Sequence, residues 1–342
     1  MIAVSSFVTT TTDIRLIPKA VDNVLNGNVL TMRLLKNNSR SWAGRGTKIS
    51  IPVYLNPVTT LGSYSGFDTF NTTQENKRER AEFDPSQVFA SVQLSGIQKA
   101  INSAGGDAAA LDLVAEELSF TAKYLSDEMG NELYGDGTGN SSKDILGLIA
   151  AIDDTTSVTT YGGISRATHT NWRGTRTAQS GSLTLADLAA DYDAAQRGSD
   201  APTIMITTPA VFSIYEALLT PTVSHQFSMN DFRLVGTAEG GSEVVKIGGT
   251  VAANQGFRAL TFRGIPFVAD EKCTAANIFT LNESHLYFYV IPQVGREVKS
   301  GFGWTGFKEP VNQDAVAGQL LWYGQFVTDA PRTHARRTGV TS

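Results

Sequence analysis

FRGIPFVADEKCTAANIFTLNESHLYFY, Phe262 to Tyr289, is dense in aromatic and β-branched residues and is punctuated by Gly264 and Pro266. That texture predicts strands: ALTFRGIPFVAD as one, and NIFTLNESHLYFYVIP as a second forming a pair with it. QLLWYGQFVTDAPRTHARR, from Gln319, continues the pattern, so the chain closes in strand-rich sequence. No fixed internal period appears, which excludes a repeat protein.

Upstream lies an α/β unit. Thr184 with Asp187 three residues on is a capping-box start, and Leu185, Leu188, Ala189, Tyr192 and Ala195 form one helical stripe that ends at Gly198. TIMIT (Thr203–Thr207) predicts a buried strand, and Thr208-Pro209 opens a second helix through Leu219. Asp231 to Gly256 is glycine-rich and loop-like.

Asp107 to Leu133 carries the clearest helical period. Asp107 follows Gly105-Gly106 as an N-cap. Leu111, Val114, Leu118, Leu125, Met129 and Leu133 share a stripe, with Glu116, Glu117, Lys123, Asp127 and Glu128 mostly elsewhere. About 27 residues at about 1.5 Å each give a rod of about 40 Å. The loop that follows, Gly135-Asp136-Gly137-Thr138-Gly139, has the texture of a phosphate cradle but stands at the wrong end of a helix. Phosphate sites use the free N–H groups of a helix N-terminus, whereas this loop meets the carbonyl end, lacks GK[ST] and adds Asp136. It reads as a helix stop, with Lys143 the one nearby cation of a weak alternative.

KISIPV and QVFASVQL alternate as strands do, with Ile49, Ile51 and Val53 in the first and Val88, Ala90, Val92 and Leu94 in the second. Between them, Tyr54 to Gln87 is rich in Gly, Ser, Thr and Asn and ends in the charge run ENKRERAE. In extended backbone Glu75, Lys77 and Glu79 face one way and Arg78, Arg80 and Glu82 the other, so neither face suits an apolar core. A two-stranded arm without a core is marginal alone, and so long a loop is uncommon in a compact domain. A partner surface outside the subunit would order the arm and make these six residues intersubunit contacts; the alternative is a surface insertion with a solvated charge run. Before the arm, Ile14 to Leu35 predicts short helices interrupted by Pro18 and Gly27.

With 41% hydrophobic and 18% charged residues, the composition is globular. The single cysteine, Cys273, excludes an internal disulfide framework and a cysteine-rich zinc site, and reads as a small, partly buried side chain. A net charge of −5 argues against tight nucleic-acid binding but not against enclosing nucleic acid. The N-terminus lacks a signal-peptide pattern and no run approaches about 18 apolar residues, so a cytoplasmic origin without membrane insertion is expected. The Asn-x-Ser/Thr triplets at Asn37, Asn71, Asn140 and Asn282 are then chance.

Motifs for catalysis are missing. His169, His225, His285 and His334 follow no ligand spacing, and neither GxSxG nor a kinase signature occurs. The acid pairs Asp153-Asp154 and Glu116-Glu117 read as solvated charges. Arg166, Arg173 and Arg176 near His169 and Trp172 resemble a nucleic-acid patch, though packing of arginine stems on the indole accounts for them better. Arg332, Arg336 and Arg337 with His334 read as a solvated tail or as intersubunit ion pairs. No cofactor or metal site is expected.

The order of elements, together with Gly264-Ile265-Pro266-Phe267-Val268, Ile278-Phe279-Thr280-Leu281-Asn282 and the Gly135–Asn140 loop followed by Gly147-Leu148, resembles the major capsid proteins of tailed bacteriophages, whose fold encapsulin shells share. The resemblance spans nearly the whole chain. It implies an α+β fold: an N-terminal arm (1–44), an extended β-hairpin E-loop (45–97), a P-domain (98–182) with its spine helix at 107–133, and an α/β A-domain (183–268). A P-domain return (269–327) and a C-terminal A-domain strand (328–342) complete it.

The implied function is structural: self-assembly, through pentamers and hexamers, into an icosahedral shell around double-stranded DNA, in a virion assembled in the host cytoplasm. Implied partners are other copies of the chain, a portal, a decoration protein in some shells, and DNA held without sequence-specific binding or any membrane. Because about forty residues precede the E-loop, the expected scaffold is a separate protein. No motif marks Lys48, Lys77 or any asparagine for cross-linking. An encapsulin-like nanocompartment stays open as the alternative, as does a nucleotide-dependent enzyme using Gly135–Gly139.

Overall fold

A computed structural model describes residues 28–42, 46–97, 113–226, 259–291, 302–306, 308–309 and 314–341. In chain order the elements begin with α1 (Val29–Asn37), β1 (Ser39–Ser41), β2 (Ile49–Tyr54), β3 (Arg78–Phe83), β4 (Ser86–Ser95) and α2 (Leu113–Leu133). Next come α3 (Leu148–Ala151), β5 (Thr160–Tyr161), β6 (Ile164–Ser165), β7 (Thr175–Ala178), α4 (Leu185–Ala195), β8 (Ile204–Thr207) and α5 (Pro209–Gln226). The last are β9 (Ala259–Phe262), β10 (Ile265–Ala269), β11 (Asn277–Leu281), β12 (Leu286–Val290), β13 (Phe302–Trp304), β14 (Ala315–Thr328) and β15 (Ala335–Thr338). The chain divides into two compact units, 27–88 with 126–303 and 321–342, and 1–26 with 89–125 and 304–320.

The larger unit is built on a six-stranded mixed sheet in the order β7-β15-β11-β8-β10-β9. β10 runs parallel to β8, with Phe267 opposite Met205, and β11 runs antiparallel to it, with Phe279 opposite Ile206. Every residue of β8 and β11 is buried, as the continuous apolar reading of TIMIT requires. α4 and α5 contribute Leu188, Val211, Phe212 and Tyr215 to a core shared with Met205, Phe267 and Ile278. The Thr184 capping box forms: its hydroxyl accepts from Asp187 N–H at 3.2 Å, and the Asp187 carboxylate accepts from Thr184 N–H at 3.0 Å. α5 runs to Gln226, past the expected end at Leu219, although Pro221 withdraws one backbone donor.

A second sheet in this unit pairs β1 parallel to β12 and β12 antiparallel to β14, with Leu286 opposite Thr328 and Val290 opposite Gly324. Phe288, Trp322 and Phe326 form its buried aromatic centre. In the smaller unit, Gly96 N–H donates to the Asp314 carbonyl and Thr305 N–H to that of Gln319, which places chain on both sides of the first half of β14.

Two strand expectations are corrected. ALTFRGIPFVAD is a hairpin, β9–β10, turned by Arg263 and Gly264 with φ of 48° and 84°, the left-handed pair a two-residue hairpin needs. NIFTLNESHLYFY is two strands in two different sheets. Asn282 breaks it by accepting from Ser284 N–H and starting a 3₁₀ turn, Glu283–His285. β10 and β11 are therefore not partners, because β8 lies between them. The six-stranded sheet takes in β7 and β11, and so crosses the expected boundaries at 182/183 and 268/269.

The long helix is described over 21 residues, Leu113–Leu133, about 31 Å. Asp107 and Leu111 lie outside the described residues, as do the helices expected between Ile14 and Gly27 and the loop at 231–256. Leu125, Met129 and Leu133 of the predicted stripe are buried. α1 docks beside the second half of this helix. The buried Asn28 amide donates to the Ser126 carbonyl at 2.9 Å, in the space that Gly130, having no Cβ, leaves open. The N-terminus of α1 is closed by the buried Asp270 carboxylate, which accepts from Val29 and Leu30 N–H and from the Tyr134 hydroxyl.

Candidate intersubunit surface

The arm is a hairpin of β2 and β3, with Ile49 opposite Phe83 and Tyr54 opposite Arg78. QVFASVQL, as β4, is not its second strand. The root of the arm is anchored: Ala81 and Phe83 are buried, and the Phe83 ring meets that of Tyr161 edge-on at 5.0 Å. Gly162 is required there, since a Cβ would press on Phe83, and its carbonyl accepts from Glu82 N–H at 2.9 Å. The reading that neither face of the charge run reaches a core is thus corrected at its C-terminal end, where the charges give way to Ala81 and Phe83.

The six charged candidates occupy both faces as extended backbone dictates. Arg78, Arg80 and Glu82 are exposed, and Glu75, Lys77 and Glu79 are half-buried. Glu75 is engaged inside the arm. It accepts from Thr59 N–H at 2.8 Å and from the Thr59 hydroxyl, whose hydrogen bond holds the carboxyl below the usual range, and Lys77 stands 3.7 Å away. This ties the two legs of the loop between β2 and β3. The Arg78 guanidinium lies over the Tyr54 ring at 4.8 Å, and Arg80 and Glu82 are 3.7 Å apart. Exposed pairs of this kind contribute about 0–1 kcal/mol, so their charges stay available at little cost.

Between the strands, residues 55–77 make no ladder of their own, and here the structure shows what sequence reading missed. Val58, Leu61, Tyr64, Phe67 and Phe70 recur at every third position. Leu61 is 78% exposed, Tyr64 66% and Phe70 65%, and Phe67 is fully exposed. Among the described residues, the edge-on contact of Tyr64 with Phe70 at 4.9 Å is the row's one aromatic pairing. A spacing of three matches neither the helical nor the strand period, so it was hidden among the polar residues that separate its members. Exposed large apolar side chains gathered in one segment are the texture of interaction surfaces, whereas singly scattered ones need no explanation.

No protein-family model matches the sequence, and no curated protein matches it. Solved structures do, over almost the full chain. The capsid asymmetric unit of cyanophage A-1(L) superposes with a TM-score of 0.69 at 17% identity, covering 99% of this chain and 100% of that one. The fold is the tailed-phage capsid fold. The capsid of Myoviridae phage XM1 matches with a TM-score of 0.59 at 10% identity, covering 96% of this chain and 97% of that one. The holo-SrpI encapsulin of Synechococcus elongatus matches at 0.56 and 13%, covering 98% and 94%.

Within this capsid fold the glycine loop closes a helix. Asp136 accepts from Thr138 N–H and hydroxyl, and Ile149 N–H donates to the Gly135 carbonyl. Gly147 sits so tightly on the end of α2 that a Cβ would overlap the Glu132, Leu133 and Gly135 carbonyls. The Glu132 carboxylate accepts from Ile145 N–H at 2.9 Å, and burial, aided by Asp144 and Glu128, pushes its pKa up to about 7.

The basic cluster near the C-terminus is neither a solvated tail nor, for three of its members, a free interface. His334, Arg336 and Arg337 are buried, and only Arg332 is exposed. Arg337 grips Asp191 through two nitrogens at 2.6 and 2.9 Å and also bonds Gln179 and the Asp187 carbonyl. His334 accepts from Asn282 N–H and pairs with the Thr328 hydroxyl, and burial pulls its pKa down to about 3. Asp153, read as solvated, is buried and accepts from Thr155, Ser157 and Val158 N–H.

Packing is the finding for Arg166, which is buried and donates to the carbonyls of Ala150, Ala151, Val158 and Trp172. Cys273 is buried with its thiol pushed up by desolvation, which removes nucleophilic character. Among the described residues no cluster of His, Cys, Asp and Glu is arranged to hold a metal, and no helix is long and apolar enough to cross a membrane.

Proposed function

We propose that the chain is the major capsid protein of a tailed phage, assembling through pentamers and hexamers into an icosahedral shell around double-stranded DNA, and that it has no enzymatic activity. The observation that carries this reading is the arm: a hairpin ending in a row of exposed apolar side chains, on a chain that matches a capsid subunit over 99% of its length. Isolated, such a row exposes surface worth about 1.5–3 kcal/mol per large side chain when buried. A second copy of the chain supplies that cover in every position of a closed shell, which is how weak repeated contacts become a stable assembly.

In this reading residues 45–97 are the E-loop, 107–133 the spine helix of the P-domain, and 183–268 the main part of the A-domain. Glu75, Lys77, Arg78, Glu79, Arg80 and Glu82 flank the apolar row and meet charges on the neighbouring subunit. A separate scaffolding protein, a portal and a decoration protein are the further partners, and assembly takes place in the host cytoplasm. The encapsulin likeness keeps one second reading, a nanocompartment of the same fold enclosing protein cargo.

Expression alone and with the neighbouring genes, followed by negative-stain electron microscopy, tests the proposal. Closed shells, or rings that close when a scaffold is supplied, are expected. Shells that copurify with nucleic acid and a portal favour the phage, while small shells loaded with one enzyme favour the nanocompartment. A monomer that never assembles under either condition refutes both.

A further inference from the structure

Thr170, Asn171, Arg173, Thr175, Arg197 and Arg332, together with the buried Gly174, line a pocket of about 390 Å³. Three of the lining residues are arginines and none is acidic. Like charges gathered in a concavity repel, and their field is strongest there, so the arrangement favours an anion inside.

All three arginines rise from fixed backbone. Arg173 follows the 3₁₀ turn Thr170–Trp172, which is anchored by the buried Trp172 and by the Asn171 amide donating to the Leu55 carbonyl. Its Nε donates to the Arg166 carbonyl at 2.6 Å and its Nη2 to that of Ala167 at 3.3 Å, leaving Nη1 without a partner among the described residues. Arg332 stands in the 3₁₀ turn Pro331–Thr333, which lies against the Thr170–Trp172 turn. Arg197 is set by reciprocal backbone bonds with Asp200 at 2.8 and 2.9 Å. Neither the Arg197 nor the Arg332 side chain has a hydrogen-bond, ion-pair or ring partner among the described residues.

We propose that this pocket is a phosphoryl-binding site, taking the phosphodiester of a nucleic-acid strand or free inorganic phosphate. Guanidinium forks match tetrahedral oxyanions, the Thr170 and Thr175 hydroxyls add neutral donors, and the volume is at the small end of the range for ligand pockets. Recognition through phosphate alone carries no base preference. The proposal stands on the pocket's own charge and does not depend on shell formation.

The test uses unassembled subunits at low salt. A labelled ten-residue oligothymidylate is followed by fluorescence anisotropy, and inorganic phosphate by calorimetry. Arg197→Gln/Arg332→Gln removes two exposed, unpartnered groups, so its melting temperature should equal the parent's. Binding of the preferred anion should fall at least tenfold, with a shallower salt dependence, by about 0.7 in log–log slope per lost phosphate contact. Arg197→Lys/Arg332→Lys should restore part of it. Oligonucleotide binding that millimolar phosphate displaces identifies nucleic acid as the source. Phosphate binding with no gain from the oligonucleotide identifies the free anion. Equal affinity of parent and Gln variant for both probes, or no binding of either by the parent, overturns the proposal.

Discussion

Asp270 shows how one side chain can join three segments far apart in sequence. Its carboxylate accepts from Val29, Leu30 and Lys272 N–H and from the Tyr134 hydroxyl, all at a buried position. Asp270→Ala leaves those donors without an acceptor, and each stranded buried donor costs about 1–3 kcal/mol. The variant should lose about 4 kcal/mol or more in urea unfolding of the subunit; a loss below about 1 kcal/mol would show that water replaces the carboxylate. Glu132 makes a prediction of opposite sign. Its pKa rises from 4.5 to about 7 on folding, so the folded state holds a proton the unfolded chain has released, and stability falls as pH rises through that window. Glu132→Gln keeps an acceptor for Ile145 N–H without the charge. It should melt higher than the parent at pH 8 and at the same temperature at pH 4. His334 works from the other side: its depressed pKa, about 3 against 6.5, gives stability that is complete above 6.5 and is lost as pH falls toward 3.

At the level of elements, the contact between α1 and α2 turns on Gly130. Propensity alone says Gly→Ala in a helix gains up to about 1 kcal/mol. Here the added Cβ would collide with the Asn28 amide, which is short, buried and already bonded to Ser126, so it has nowhere to move. Gly130→Ala should therefore destabilise the parent but be neutral or stabilising in an Asn28→Ala background, a sign change that a double-mutant cycle in thermal melts reads directly. The same elements show what was legible beforehand. The stripe through Leu125, Met129 and Leu133 and the Thr184–Asp187 box are local patterns, complete within one or two turns, and both appear as read. Arg337 seemed a tail residue because its partner Asp191 is 146 positions away and no local spacing announces the pair. NIFTLNESHLYFY seemed one strand because apolar density continues through Asn282, where a single side-chain hydrogen bond redirects the backbone. The candidate surface was half legible: its charges stood out as a run, while its apolar row lay at a period that belongs to no regular element.

For the whole molecule, assembly and subunit stability should separate, because the arm carries groups that the subunit itself does not use. Arg78 and Arg80 are exposed and, among the described residues, hold only a ring contact and a loose ion pair. Arg78→Glu/Arg80→Glu should leave subunit melting within about 0.5 kcal/mol, as surface changes do, while shells fail to form in electron micrographs; normal shells would remove these residues from the interface. The apolar row gives the sharper case. Leu61 and Phe67 make no core contact in the subunit, so Leu61→Ser/Phe67→Ser removes nothing that folding depends on and trims surface that aggregation would otherwise recruit. If a neighbouring copy covers the row, each truncation forfeits about 1.5–3 kcal/mol of burial at every subunit. At about 1.4 kcal/mol per tenfold, the two together should raise the concentration needed for assembly about a hundredfold or more. Light scattering across a concentration series measures that threshold. A subunit that melts as before but assembles only at far higher concentration places the row at an interface between copies. An unchanged threshold would assign the row to another occupant and leave the flanking charges as the arm's only hold on its neighbour.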